Sequence, residues 1–449
     1  MDTQPYADIP SVIDEVLFQQ EGKRLSIATI ENKPKSQDND KNAPKDRFNY
    51  VYITVIVLGL VHFLPITYFS AANEYWMYKF RNASTNTSDP DQRTYLQTNF
   101  VALSGTYSSI PTIVVNFFST FISHKMKAKT RLFSILGLHT FLFGSLCVFV
   151  KINTDDWQEV FFGITITTMM LVICTIQIEG VAEYNLITKL PPAYIKGFLL
   201  GESVAGIFSS ILRLLSIVIS SSAVGSALIY FSTGTALLAL TLIFTIFLMK
   251  NQFFKYYTEG FQEEMKEPIR NISDIFQMIK CIWPILLIGS IMFLIPSPSI
   301  YNLVVSEHYG EEGNSWANTY FVTVCTFLVP AIMSVLGRLI FNRVEYEFSL
   351  SAIYLITITY QVVFGILLFL SNARPRTHLP VLLKHDWEYA LSLALLSFIR
   401  GFVDNSIVIK MLKLAPENRT ELAVVLNYFS MSVWILLSNP IGLAAVKCL

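Results

Sequence analysis

Eleven stretches of this chain are about twenty residues long and nearly free of charge, the length a helix needs to cross the hydrocarbon core of a bilayer. They fall at roughly 49–72, 98–122, 132–151, 160–183, 193–221, 224–249, 281–301, 318–341, 351–371, 387–409 and 422–446. In hydrocarbon every backbone N–H and C=O must be satisfied within the protein, which leaves helices or closed barrels. Barrel strands run to about ten residues, so these stretches are too long for them. The expected fold is all-α and integral to a membrane, with eleven transmembrane helices.

Charge supports that reading by where it is missing. Charged residues make up 15% of the chain, against about 25% in an ordinary soluble domain. They crowd into the first 47 residues and a few short loops. The net charge of zero gives no basic footprint for nucleic acid. Cys147, Cys174, Cys281, Cys325 and Cys448 form no CxxC or Cys/His cluster, so neither a disulfide framework nor a metal site is expected. No phosphate loop or nucleophile elbow appears, so the chain reads as no enzyme and as needing no cofactor.

The charged linker around 250–280 splits the spans into six and five. This resembles the two-bundle plan of secondary transporters, whose site lies at the midplane between bundles. The expected parts are a cytosolic disordered tail (1–47), a six-helix bundle (48–250), a cytosolic linker (251–280) and a five-helix bundle (281–449). Lys41, Lys45 and Arg47 end the tail, and Lys125, Lys127, Lys129 and Arg131 follow the second span. By the positive-inside rule these segments are cytosolic. An odd span count then places the C-terminus outside. The first outer loop, near 73–95, carries sequons at Asn82 and Asn86 and is the expected glycosylated loop.

Ionisable groups within spans mark function or demand partners. Glu202 and Arg213 stand near one face of the fifth span. At a helical rise of 1.5 Å per residue they are ~16 Å apart, too far to pair directly. Either both line one cavity, which is the favoured reading, or each pairs with a neighbouring helix. Glu179 and Glu183 form an i, i+4 pair in the fourth span, a spacing at which like charges repel. Glu183 is expected at the cytosolic interface, while Glu179 stays open between a proton-binding role and a bland one. Arg338 is a candidate donor to a polar ligand, with snorkelling to the interface as the alternative. Arg400 and Asp404, again i, i+4, are expected to neutralise each other structurally. His62 and His139 are expected to be packing residues. Gly197, Gly201, Ala205 and Ser209, each four apart, read as a helix-packing ridge. Pro65, Pro111, Pro330 and Pro440 are expected to kink their spans.

Several ordered motifs resemble the equilibrative nucleoside transporter family from residue 44 to the end. They are Pro44-Lys45-Asp46-Arg47-Phe48-Asn49, Leu64-Pro65, Ala72-Asn73-Glu74-Tyr75-Trp76, Leu190-Pro191-Pro192-Ala193-Tyr194, Gly201-Glu202-Ser203-Val204-Ala205-Gly206, Leu336-Gly337-Arg338 and Pro416-Glu417-Asn418-Arg419-Thr420. The resemblance implies a fold similar to the major facilitator type. It also implies facilitated movement of nucleosides, sometimes nucleobases, by alternating access at the plasma membrane, with no obligate protein partner. Arg338 would help hold the sugar. Gly180 and the segment from Gly201 through Ser203 to Gly206 would face the cavity. Three positions depart from the family pattern. Ile66-Thr67 replaces a Trp-Asn, Ser334 replaces an aspartate before Leu-Gly-Arg, and Gly180, with Glu179 beside it, replaces a base-contacting glutamine. Glu202 stands for another glutamine. The expected solute site is therefore Arg338, Glu179, Gly180, Glu202, Thr67 and Ser334. Arg213, Gly201, Ser203, Gly206, Arg400 and Asp404 are the cavity or gating candidates. Buried acid at Glu202 opens two alternatives on the same fold: proton coupling, and altered specificity toward nucleobases or organic cations. A third reading is a non-transporting membrane sensor or scaffold.

Overall fold

The computed structural model describes residues 44–84, 89–122, 127–259, 272–292, 300–344, 348–376, 378–416 and 419–449. Among the described residues, eleven helices are long and apolar enough to cross a membrane. They are α1 (Tyr50–Ala71), α2 (Tyr95–Ile122), α3 (Ala128–Lys151), α4 (Gln158–Ile187), α5 (Pro192–Ile219), α6 (Ala223–Lys250), α7 (Ile272–Ile291), α8 (Val329–Arg343, with the turns just before it), α9 (Leu350–Phe369), α10 (Asp386–Leu414) and α11 (Thr420–Cys448). Short helices at Asn73–Lys79 and Gln252–Glu259 lie between spans. The chain is thus a multi-span, helical membrane protein.

Several helices start where the sequence supplies a cap. Asp46 accepts from the free N–H groups of Val51 and Tyr52 at 3.0 Å each, fixing the entry to α1. It also accepts from the Tyr194 hydroxyl of α5 at 2.9 Å. Thr94 and Gln97 exchange side-chain and backbone bonds at the start of α2, a reciprocal capping box. Ser222 caps α6 and Ser349 caps α9 through their hydroxyls.

Two spans differ from their expected course. The sequence places the seventh at 281–301, but α7 runs Ile272–Ile291. Asp274 and Lys280 make its first turns read as linker. Asp274 instead pairs with Arg419 at 3.3 Å, which lets a charged end stay helical. The eighth span opens with two π-helical stretches, Trp316–Tyr320 and Val322–Leu328, before α8 proper. Pro330 follows at once and cannot donate to the turn before it, so a wider i→i+5 register meets the proline without the usual ring clash.

Helices α1, α3, α4, α5 and α6 pack mainly within the first six and α7 to α10 within the last five, while α2 and α11 pack most heavily on each other across the divide. The main contacts joining the sets are α2 with α11, α5 with α8, and α4 with α11. Within each set one crossing is so close that only glycine fits. A Cβ on Gly59 would strike the Phe198 carbonyl, and one on Gly201 the Ile56 carbonyl, so α1 and α5 touch backbone to backbone. The second set repeats the device: Gly337 abuts the Phe398 carbonyl and Gly401 the Ser334 carbonyl, joining α8 to α10. Small residues are what permit such approach when lipid offers no hydrophobic drive between helices.

The sets are also bridged at the end that carries the 73–95 loop. Arg93 donates to the carbonyls of Leu303 at 3.1 Å and Arg374 at 2.8 Å. Arg374 pairs with Asp91 at 3.2 Å. Asn73 reaches the Asn302 carbonyl at 3.4 Å. Asn82 stands on that side and holds Ser84 through its side-chain oxygen, whereas Asn86 lies outside the described residues.

Candidate solute site

A line of buried polar groups runs through the first helix set and meets the second. His62 of α1 is fully buried, and its Nδ1 lies 2.6 Å from Glu183 Oε2 of α4. The same nitrogen is 3.8 Å from Glu202 Oε1 of α5. One helical turn from Glu183, Glu179 faces His139 of α3, with Oε2 to Nδ1 at 3.2 Å. The other His139 nitrogen bonds the Thr175 hydroxyl at 2.7 Å. Glu179, Glu183, His62 and His139 are each at most 1% exposed and Glu202 is 8% exposed, so these charges have almost no water to lean on.

Four expectations change here. His62 and His139 are not apolar packing residues; each stands against a carboxylate. Glu183 is not at the interface, because α4 continues four residues beyond it and buries it among α1 and α5. Arg213 does not share a cavity with Glu202. It is wholly buried toward the 73–95 end, pairs with Glu74 at 2.8 Å and donates to Ser226 at 3.1 Å. Gly201 faces the α1 backbone rather than an open space. A guide to the histidines existed in the sequence. Three carboxylates on two apolar spans need partners, and His62 and His139 are the histidines that fall inside apolar spans.

Gly180 shows why a small residue stands beside Glu179. A Cβ there would strike the His62 ring and come within 2.6 Å of the Tyr428 hydroxyl of α11. Gly180 is thus where α1, α4 and α11 converge. Gly206 lies on the α5 face that meets α8, where its Cβ would come 3.1 Å from that of Ala331.

The second set contributes Arg338 and Asp404, whose Nη2 and Oδ2 are 3.4 Å apart, both about a fifth exposed. Asp404 also lies in the field of Arg400, so two guanidinium groups share one carboxylate, and Arg400 is not its sole partner. Across the divide, Glu202 feels the charges of Arg338 and Asp404 as well as those of His62 and Glu183. Thr67 and Ser203 turn their hydroxyls onto their own helices, at Leu64 and Leu199. Ser334 lies on the α8–α10 crossing through its backbone.

Two helix sets that meet over buried, mutually facing charges define a polytopic membrane protein built as a solute carrier. Comparison with known proteins agrees. The family described as "Nucleoside transporter" matches residues 169–271 and 259–441. Equilibrative nucleoside transporter 3 of Rattus norvegicus is 25% identical over 424 residues, covering 88% of each chain. Equilibrative nucleoside transporter 1 of Homo sapiens is 22% identical, covering 80% of this chain and 89% of its own. Among solved structures, the nucleoside transporter NupG superposes with a TM-score of 0.51 at 14% identity, covering 88% of this chain and 91% of its own. A POT family transporter matches with a TM-score of 0.53 at 11% identity, covering 88% and 94%. At that identity these two structures share the fold, a major-facilitator-like one. The chain belongs to the nucleoside transporter family.

Proposed function

We propose that this chain carries nucleosides across a membrane by alternating access, in either direction and without ATP. The observation that carries the reading is the buried cluster of His62, Glu183 and Glu202 in the first helix set, with the charges of the Arg338–Asp404 pair of the second set acting on Glu202, in a chain of this family. A nucleoside is neutral but rich in hydroxyl donors and carbonyl acceptors. Arg338 supplies fixed donors and Glu202 an acceptor, which together suit a ribose. Glu179, Gly180, Thr67 and Ser334 complete the proposed site. The 73–95 end is the outer one in this reading, with the N-terminus cytosolic, the C-terminus extracellular and glycans on Asn82 and Asn86 at the plasma membrane.

In cells lacking nucleoside uptake, expression is expected to confer saturable uridine or adenosine flux. Absence of flux for a broad nucleoside and nucleobase panel would leave the chain as a sensor or scaffold. Arg338→Ala is expected to weaken apparent affinity roughly ten- to hundredfold, the loss of a charged hydrogen bond worth about 1.5–3 kcal/mol, and Arg338→Lys to recover part of it. Unchanged affinity and rate in Arg338→Ala would remove Arg338 from the solute site.

The bridges at the 73–95 end must open for the cavity to face that side. The Asp91–Arg374 pair is substantially exposed, and such pairs contribute about 0–1 kcal/mol. Asp91→Ala is therefore expected to raise the open population by at most about fivefold. The measure is the rate at which a membrane-impermeant thiol reagent labels a cysteine placed at Ser203, with native cysteines removed. A slower rate would place the latch elsewhere.

A further inference from the structure

Resting on the carrier reading above, we propose that Asp404 is a positioning residue of the solute site: it holds Arg338 within its own helix set and so keeps it from tying down Glu202 of the other. Register places the two charges at one level. Gly206 of α5 and Ala331 of α8 meet where the sets touch. Successive spans reverse direction, so α5 and α8, three crossings apart, run opposite ways. Glu202 stands four residues from Gly206 and Arg338 seven from Ala331, spacings that keep each on the meeting face. At 1.5 Å per residue they lie about 6 Å and about 10.5 Å from the contact, both toward the same end. Helical side chains tilt toward their own N-terminus, which in antiparallel helices turns these two toward each other. The charge of Arg338 accordingly acts on Glu202.

A guanidinium without a counter-ion at that level would pair with Glu202. Such a pair spans the divide: it forms in one orientation of the sets and has to break for the other. Breaking a buried pair is costly, so the empty carrier would be locked. Asp404 supplies a different partner. Its Oδ2 lies 3.4 Å from Arg338 Nη2. The helix that carries it, α10, is fastened to α8 backbone to backbone at Gly337 and Gly401. Gly337 immediately precedes Arg338, and Gly401 stands three residues before Asp404. The counter-ion therefore travels with Arg338 through every orientation of the sets. The charge of Asp404 also repels that of Glu202, against the attraction of Arg338.

The hold is firm in position and loose in bonding. Charge-assisted N–H···O bonds run to about 2.7–2.9 Å, and the Arg338–Asp404 distance exceeds that. Arg400, one turn before Asp404, acts on the same carboxylate. Among the described residues Arg338 Nε is buried with no hydrogen-bond partner. Arg338 thus keeps donors for a solute hydroxyl while its charge stays balanced. Glu202 Oε1, buried and without a hydrogen-bond partner, is the acceptor on the facing side. An ion pair would close the seam with nothing bound. Hydrogen bonds routed through a solute close it only when the solute is there.

The test uses purified full-length protein in liposomes and labelled uridine. Net uptake into empty liposomes requires the unloaded carrier to return, whereas exchange into liposomes preloaded with unlabelled uridine does not. In the unsubstituted protein the two rates are expected to lie within about fivefold of each other, the low end of coupling between sites. Asp404→Asn keeps the shape and removes the charge. It is expected to slow net uptake more than exchange, raising the exchange-to-net ratio by roughly tenfold. Asp404→Glu, which restores the charge, is expected to bring the ratio most of the way back. Glu202→Gln combined with Asp404→Asn is expected to abolish the rise. Both rates are read on one preparation, so loss of folded protein lowers them together and leaves the ratio alone. Exchange with an unchanged ratio in Asp404→Asn would overturn the proposal and leave the carrier standing, as would a rise that survives Glu202→Gln. Exchange far more than fivefold faster than net uptake in the unsubstituted protein would overturn it with no variant needed. Absence of exchange in that protein would bring down both readings.

Discussion

Gly201→Ala is expected to lower the stability of the folded protein by about 3 kcal/mol or more. Its single added methyl carbon would sit against the Ile56 carbonyl and within 2.8 Å of the Leu60 amide nitrogen. Neither group belongs to a flexible side chain that can turn away. Both are backbone atoms of α1, so the α1–α5 crossing must spread. Overpacking a tight core costs about 1–3 kcal/mol where side chains can yield, and a backbone contact puts the cost at or above the top of that range. Folded proteins are stable by only about 5–15 kcal/mol, so such a loss is a large share. The measurement is thermal unfolding of detergent-solubilised protein, followed by monodispersity on size exclusion. Gly137→Ala and Gly163→Ala are the controls, because nothing described lies within 4 Å of a Cβ at either position. Equal behaviour of all three variants would mean the close crossing is not what holds α1 to α5.

Glu74→Ala is expected to destabilise by about 3 kcal/mol, the lower end for breaking a buried ion pair. Arg213 is fully buried and Glu74 is 29% exposed, which keeps the cost at that lower end. The variant strands a guanidinium left with donations to the Ser216 and Ser226 hydroxyls. Arg213 also lies 5.8 Å from the Tyr230 ring, itself stacked on Tyr68 at 4.2 Å, so the loss spreads into an aromatic plug. Arg213→Met combined with Glu74→Ala is expected to recover much of the stability, since an apolar replacement of similar volume avoids the desolvation cost. A melting temperature unchanged in Glu74→Ala would show that the pair contributes nothing at this end of the bundle.

The two variants also separate kinds of residue that look alike in sequence. Gly201 and Gly137 are both glycines within apolar spans, and only the crossing distinguishes them. Arg213 and Arg338 are both arginines inside spans. One is sealed against Glu74, and the other pairs with Asp404 while its charge also acts on Glu202 of the opposite helix set. The favoured sequence reading groups Arg213 with Glu202 because periodicity places them near one helical face. Periodicity reports direction around an axis but not depth along it, and depth decides which partner is met.

The helices themselves are readable in one dimension. A run of about twenty uncharged residues has few alternatives in hydrocarbon, because an unsatisfied backbone there costs several kcal/mol. Length therefore carries the span count, and family motifs carry the likeness of Gly201-Glu202-Ser203 and Leu336-Gly337-Arg338. The seventh span shifts where charge meets helix, at Asp274 and Lys280, because a polar first turn looks like a loop until Arg419 is seen beside it. The polar seam is half legible. Glu179, Glu202 and Arg338 stand out as charges in apolar runs, but His62 takes its meaning from Glu183, 121 residues away along the chain. His139 likewise depends on Glu179 of the following span. A side chain's own surroundings in sequence say how costly its charge is. Which imidazole or guanidinium meets that cost is set by how separate helices come together, and only packing in three dimensions chooses among them.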